Sequence, residues 1–266
     1  MAFSCWKNRR RRIIIKFSRL PINSGVFCLK KDRFQDVVWI GTDGQGVYLY
    51  SNPLYSIKSM VLSNYTEKIE RPVRAIYLDD ECTFWVGTKG NGILKIYDYE
   101  FDKNISDCRA EVLTTSNSAL SSNAVYCFAK SHRNLLWIGD EEGLTYYSYR
   151  EKRIKSIPIR IGNEDFKYIH DIYETADSEL WLASVGMGVV KARIAGTPGQ
   201  SGDCGCATLR QSMTVNWDRT YFFTIYAENE ANLLFGNKGY GVFRYNENDE
   251  WPGTGVYSQI RKHDPE

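Results

Sequence analysis

The chain has 266 residues, 43% of them hydrophobic and 25% charged, so it can form a folded core and does not have the composition of a disordered protein. Its 34 basic and 32 acidic residues leave a net charge of +2, which excludes the strongly positive field that gathers nucleic acid or an anionic membrane surface. No segment reaches the ~18 consecutive apolar residues of a transmembrane helix.

The first segment, residues 1–19, is basic and contains the run Arg9–Arg12. We interpret it as a solvated terminus, with a nucleic-acid arm or the positive end of an export signal as alternatives. An export signal needs an apolar stretch of at least ~7 residues after the charges, whereas Lys16 directly follows Ile13–Ile15. The sequence thus shows no signal peptide, and the chain expressed as given would remain in the cytoplasm.

Seven cysteines are scattered without the paired spacing of a zinc site or a disulfide scaffold. Only Cys204 and Cys206 are close together, and no second pair of ligands lies near them in the sequence. Cys28 and Cys127 occupy matching positions in two strands, where we expect small core hydrophobes. The sequence therefore predicts no metal site and no cofactor.

One phrase, typified by Trp-Ile-Gly-Thr, recurs five times along the chain. The five copies are Val38–Thr42, Phe84–Thr88, Leu136–Asp140, Leu180–Ser184 and Leu233–Asn237. Their aligned fourth positions are separated by 46, 52, 44 and 53 residues. This period is close to the ~40 to 50 residues of a β-propeller blade and too long for ankyrin or tetratricopeptide units.

Each copy lies between two further predicted strands. A glycine-bearing turn and a second apolar run follow it, which predicts a hairpin. An apolar strand precedes it and starts 12 residues before the tryptophan position in the later units, as at Val73, or 13 residues before it in the first, at Val26. Ser56–Met60 and Arg153–Ile157 are candidates for a fourth, outer strand.

Four short strands cannot bury their faces singly, so successive units must stack around an axis as a propeller. We therefore predict an all-β protein with five recognisable four-stranded blades. The repeats span residues 20–250, with blades near 20–65, 66–115, 116–160, 161–212 and 213–250 and a tail at 251–266. The structural residues of the repeat are Trp39, Gly41, Trp85, Gly87, Trp137, Gly139, Trp181 and Gly236, and we expect its four tryptophans to pack between blades.

A ligand site, if present, is expected on the first strand of each unit, where Arg74, Tyr126 and His170 align with Phe27 and Phe223. This aligned column is a candidate lining for the central funnel of a propeller. Packing between blades and bonds to backbone carbonyls are the alternative interpretation. The column is thus the predicted ligand-binding set.

The phrases Val38–Thr42 and Phe84–Thr88, with a polar turn before and Gly-x-Gly after, resemble the two-component regulator propeller repeat. Leu120–Val125 resembles the lead-in to that repeat, and the resemblance covers roughly residues 20–250. It implies a periplasmic glycan sensor of a Bacteroides-type hybrid two-component system, whose partners are the remaining blades of a seven-bladed ring or a second propeller. The chain departs from the pattern at Ala183 and at Leu234, which replaces a tryptophan.

Three functions remain open from the sequence: a sensory module for an oligosaccharide or other small ligand, a protein-interaction propeller, and a propeller glycoside hydrolase or lyase. Catalysis is not predicted, because acidic residues such as Asp32 and Asp79 fall in turns that we expect to be solvated. His170 and Asp171 form the one candidate catalytic pair, but adjacent strand residues point to opposite faces.

Closure of the ring is the last expectation. No sixth copy of the phrase follows residue 245, although Val256–Ile260 is one possible further strand. We expect an open arc of blades, an incomplete part of a seven-bladed ring. Apolar faces exposed on the first and fifth blades would then favour self-association.

Overall fold

The structure is a computed structural model that describes residues 22–33, 35–51, 56–60, 71–99, 108–194, 207–213, 221–239 and 241–246. This part of the chain consists of strands and turns without a helix, as an all-β protein requires. The predicted end segments 1–19 and 251–266, Cys204, Cys206 and the strand expected at Val256–Ile260 lie outside it. The all-β prediction is confirmed.

Besides one two-stranded hairpin, the described strands form five antiparallel sheets of three or four strands, here named blades 1 to 5 in chain order. Blade 1 comprises β1 (Val26–Lys31), β2 (Val37–Thr42), β3 (Val47–Ser51) and β4 (Ser56–Met60). Blade 2 comprises β5 (Val73–Leu78), β6 (Phe84–Thr88), β7 (Ile93–Ile96) and β8 (Ala110–Leu113). Blade 3 comprises β9 (Val125–Lys130), β10 (Leu135–Asp140), β11 (Leu144–Ser148) and β12 (Arg153–Ile157).

A two-stranded hairpin, β13 (Arg160–Ile161) and β14 (Glu164–Asp165), links blade 3 to blade 4. Blade 4 comprises β15 (Ile169–Glu174), β16 (Glu179–Ser184), β17 (Gly188–Ile194) and β18 (Ala207–Met213). The three described strands of blade 5 are β19 (Phe222–Asn229), β20 (Asn232–Asn237) and β21 (Gly241–Asn246). In every blade, sequential strands are hydrogen-bonded neighbours, which is the up-and-down order of a propeller blade.

The recurring phrase is the second strand of each blade, and the outer strands β4 and β12 match their predicted bounds. The outer strands β8 and β18 were not recognisable from the sequence. Edge strands need less apolar sequence than central ones, because only one side of each pairs with a neighbour. This explains why their signal was weak.

The core lies between blades, and the tryptophans of the phrase are its largest buried side chains. Trp39 packs on Phe84 of blade 2, with ring centroids 4.6 Å apart. Trp85 meets Tyr147 of blade 3 at 4.9 Å in an edge contact. Each blade thus buries one face against the next, which a single sheet in water could not do.

Two turn residues overturn an expectation from the sequence. Asp32 and Asp79 are buried rather than solvated. Trp39 Nε1 donates a hydrogen bond to Asp32 Oδ2, and Trp85 Nε1 donates one to Asp79 Oδ2, each with a donor–acceptor distance of 2.9 Å. A buried indole N–H needs an acceptor, and the turn carboxylate supplies it.

The glycine of the phrase is required by the close approach of the next blade. A Cβ at Gly139 would lie 2.5 Å from Cys127 Sγ and 2.6 Å from the carbonyl oxygen of Ile169 in blade 4. At Gly87 it would lie 2.8 Å from Val125 Cγ1 in blade 3. These separations are shorter than van der Waals contacts allow, so this position sets how closely successive inner strands can approach.

The first strands of successive blades, β1, β5, β9, β15 and β19, are neighbours in that order and form the inner wall. Lys30 in β1 and Asp171 in β15 influence each other's pKa through their charges, although blades 2 and 3 lie between them in sequence. Charges on the inner strands of blades 1 and 4 are therefore close enough to interact.

Candidate functional site

All five inner strands carry a β-bulge at their second residue. In blade 1, Val26 pairs with Thr42 and Cys28 with Gly41, so Phe27 is the extra residue. The same register shift occurs in the other blades. The extra residues are Phe27, Arg74, Tyr126, His170 and Phe223, here called the bulge column. A bulge re-aims its side chain, and bulges occur often beside functional sites.

The bulge column brings together the three predicted ligand-binding residues and their two aligned phenylalanines. The Arg74 guanidinium carbon lies 3.6 Å from the centre of the Phe27 ring. The Tyr126 and His170 rings stack with centroids 4.2 Å apart and planes inclined by 23°. Phe223 meets His170 edge-on at 5.0 Å. Side chains at aligned positions of five blades therefore form two contact groups along the inner wall, Phe27 with Arg74 and Tyr126 with His170 and Phe223.

The column is partly open to solvent. Phe27 and Phe223 at its ends are 41% and 39% exposed, and the three central side chains are partly buried. Exposed aromatic rings on a rigid wall provide apolar contact area at little entropic cost. The arrangement can therefore stack on a flat, partly apolar ligand.

The central residues present polar atoms without partners among the described residues. Arg74 Nε is buried and has no hydrogen-bond partner in the described part of the chain. His170 Nδ1 lies 3.0 Å from the carbonyl oxygen of Tyr168, which can only accept, so Nδ1 carries the proton. In the neutral ring, Nε2 is then left as an acceptor.

The titratable groups of the column are neutral near pH 7, apart from Arg74. Burial lowers the pKa of His170 below its ordinary 6.5, and the positive charges of Arg74 and Lys89 lower it further, against the opposing bond to Tyr168. Burial is the main reason that the pKa of Tyr126 rises to about 12. The site thus offers one fixed positive charge among neutral groups.

Asp171, the neighbour of His170, serves a different role. Its carboxylate accepts hydrogen bonds from the Ile225 amide at 2.7 Å and Thr224 Oγ1 at 3.2 Å, both in β19. Desolvation raises its pKa, and these bonds oppose the rise. Asp171 thus joins blades 4 and 5, while His170 belongs to the column.

Two aromatic residues beside the column were missed from the sequence. Tyr168 and Tyr221 are both partly exposed and each lies two residues before a column position. The backbone of Tyr168 has a φ of 55°, and its carbonyl oxygen accepts bonds from His170 and from the Val185 amide. Aligning the residues before the inner strands would have revealed both.

Within the described ranges, no group of three or more histidine, cysteine or acidic side chains is placed to hold a metal ion. No helix that could cross a membrane occurs in the same part of the chain. Cys127 is buried, and Cys28 is partly buried beside Gly41. Desolvation raises the pKa of both thiols, so neither is a reactive thiolate at neutral pH.

No known family model matches the chain. Translation initiation factor 6 of Saccharolobus solfataricus is 29% identical over 140 residues, which make up 48% of this chain and 57% of that protein. That similarity is too low and too partial to assign a family.

Solved structures match more of the chain. The extracellular domain of a hybrid two component system from B. thetaiotaomicron matches with a TM-score of 0.63 at 18% identity, over 93% of this chain and 30% of that one. PorZ, a surface component of the type-IX secretion system of Porphyromonas gingivalis, matches with a TM-score of 0.61 at 13% identity, over 86% and 34%. A β-propeller domain from Myceliophteria thermophila matches at 0.57 and 12% identity, over 87% and 72%.

The chain thus spans about a third of the two longer bacterial proteins. At these identities, the likeness concerns the fold. The chain has the β-propeller fold, and it shares that fold with the extracellular domain of a Bacteroides hybrid two-component system, as its repeats indicate.

Proposed function

We propose that this propeller is a sensory ligand-binding module whose bulge column binds an oligosaccharide, and that it carries out no chemistry on the ligand. The single observation that carries the proposal is the bulge shared by all five inner strands, which aligns Phe27, Arg74, Tyr126, His170 and Phe223 in one partly exposed row. A purely structural wall has no need to leave rings and a charged side chain open to solvent.

The chemistry of the row suits a sugar. Pyranose rings have apolar faces that stack on aromatic side chains, and their hydroxyls need both donors and acceptors. Phe27 and Phe223 supply exposed rings, Arg74 supplies donors, and His170 Nε2 supplies an acceptor. This mixture of apolar surface with a few polar groups is typical of small-molecule sites.

The same geometry supports sensing rather than catalysis. Asp171 is engaged with the Ile225 amide of blade 5, and the described column contains no second carboxylate that could act as an acid–base partner. Glycosidases need two carboxyl groups about 5 to 10 Å apart across the scissile bond. The proposed output is a change in packing between blades, because a ligand on the row touches several blades at once.

By likeness to the extracellular sensor domains, we extend the proposal to location and partners: a periplasmic module that acts with further blades or a second propeller of a parent sensor. A protein-interaction propeller is the second candidate. The exposed column rings Phe27 and Phe223 are also compatible with a protein partner. The two candidate functions differ in whether a free oligosaccharide binds to the propeller.

Isothermal titration of the 266-residue chain against a panel of oligosaccharides tests the proposal. Tyr126→Ala removes a column ring and should weaken binding about 10-fold, by loss of one aromatic stacking contact. Tyr226→Ala is the matched control, because Tyr226 is an exposed tyrosine of an inner strand outside the column. Both variants should melt close to the wild type.

Equal loss of affinity in both variants, or no binding by any panel member, would contradict a sugar site on the column. Release of new reducing ends during incubation with the same oligosaccharides would contradict the non-catalytic assignment. In that event, loss of turnover in Asp171→Asn would locate the activity.

A further inference from the structure

The bulge column holds a positive charge that the described residues leave uncompensated. Arg74 forms no ion pair with any described residue, and its Nε is buried without a hydrogen-bond partner. Its guanidinium group lies over the Phe27 ring, and this contact fixes the orientation of the guanidinium plane. A buried donor left unpaired is destabilising, so such an atom indicates a missing partner.

The surroundings of Arg74 strengthen its positive field. Arg71 lies against the β6–β7 turn, where a Cβ on Gly90 would be 3.7 Å from Arg71 Nε. Lys89 follows β6 in the same turn, and its charge reaches His170. Neither Arg71 nor Lys89 forms an ion pair within the described part of the chain. Three cations thus collect at one end of blade 2.

The acidic groups nearest to this end are mostly engaged elsewhere. Asp140 accepts hydrogen bonds from Ser121 and Thr145, and Glu142 is paired with Lys167. Glu141, in the turn between β10 and β11, is the acidic residue whose charge most affects Tyr126. The balance of charge around Arg74 is therefore positive, which favours the binding of an anion.

We propose that the column selects an anionic saccharide, one carrying a carboxylate or sulfate group that pairs with Arg74 while its sugar ring stacks on the column. The inference rests on the proposed function and narrows it to a ligand class. An arginine fork binds planar carboxylates and sulfates through two parallel hydrogen bonds, and the aromatic neighbours exclude water from that contact. A neutral sugar offers Arg74 only hydroxyl acceptors, which leave its positive charge uncompensated.

Titration of the full chain with four probes tests the inference: an oligogalacturonide, its carboxyl-reduced neutral form, a sulfated oligosaccharide and inorganic sulfate. The charged saccharides should bind at least about 10-fold more tightly than the neutral form. The difference should shrink as sodium chloride is raised, because salt screens a partly exposed charge.

Arg74→Met removes the charge while keeping an apolar side chain over Phe27. This variant should bind charged and neutral saccharides equally, at the level of the neutral form in the wild type. Arg153→Met is the control, because it makes the same change in net charge on the exposed outer strand β12. It should retain the preference for charged saccharides.

Equal binding of charged and neutral forms by the wild type, or a preference that survives Arg74→Met, would overturn the inference. If the column variant Tyr126→Ala still weakens the binding of both the charged and the neutral saccharides, the proposed function stands but the preference for an anionic ligand does not. Inorganic sulfate that binds as tightly as the saccharides would also overturn it, since the sugar would then contribute nothing. Absence of binding by all four probes would count against both proposals.

Discussion

Substitution of Gly139 by alanine should destabilise the propeller through steric conflict alone. Gly139 does not have a positive φ, so alanine meets no backbone strain there. Its Cβ would lie 2.6 Å from the carbonyl oxygen of Ile169 and 2.5 Å from Cys127 Sγ, about 1 Å closer than ordinary contacts. A backbone atom of the next blade cannot rotate away, so blades 3 and 4 must separate.

Overpacking of this kind costs about 1 to 3 kcal/mol, and we expect the upper end because a backbone carbonyl is involved. The loss corresponds to a fall in Tm of about 6 to 12 °C for a domain of this size. Gly236→Ala is the matched control, since its added Cβ would closely approach only the Thr224 methyl group, at 2.6 Å. Blade 4 already has Ala183 at the aligned position, buried beside β15.

Thermal unfolding followed by circular dichroism measures both variants under the same conditions. The reasoning predicts that Gly139→Ala loses clearly more than Gly236→Ala. A Gly139→Ala protein that melts within about 2 °C of the wild type would refute the assignment of this glycine to inter-blade approach.

Three further predictions concern buried charges and the blade ends. Asp79→Ala should lower the free energy of unfolding, measured by urea denaturation, by about 3 kcal/mol, because it leaves the Trp85 indole and two backbone amides unpaired. The control Asp80→Ala removes only surface ion pairs and should lower it by no more than about 1 kcal/mol. Equal losses in the two variants would contradict the buried role of Asp79. Burial lowers the pKa of Lys95, so the unfolded chain binds a proton that the folded chain lacks between that pKa and 10.5, and stability should rise with pH there. Urea denaturation in pH steps up to 10.5 should show this rise in the wild type and lose it in Lys95→Met; a rise that persists would assign it to another group. Leu29 on blade 1 and Tyr226 on blade 5 are 51% and 63% exposed, so light scattering should detect self-association of the wild type. The double variant Leu29→Lys/Tyr226→Lys should reduce this self-association. A monodisperse wild-type monomer of 30.7 kDa would instead indicate a closed ring.

The repeat explains why much of the fold could be predicted. The phrase around Trp85 recurs at a blade-length period, and its apolar strand and glycine turn are local signals that a single sequence displays. The same alignment placed Arg74, Tyr126 and His170 in one column before their contacts were known. Outer strands such as β8 lie at blade edges, where burial imposes little pattern.

What the tertiary structure alone decided depends on contacts between residues far apart in sequence. The alternation of apolar and polar residues along a strand cannot show that Arg74 is the extra residue of a bulge, because the register shift is defined by pairing with the partner strand. The buried state of Asp79 follows from the indole that packs above it. In blade 3, where Ser131 stands at the aligned position, the Trp137 indole donates instead to Glu174 of blade 4. The sequence alone determined the blades and their period, whereas packing between blades determined which polar groups are buried and which side chains meet in the bulge column.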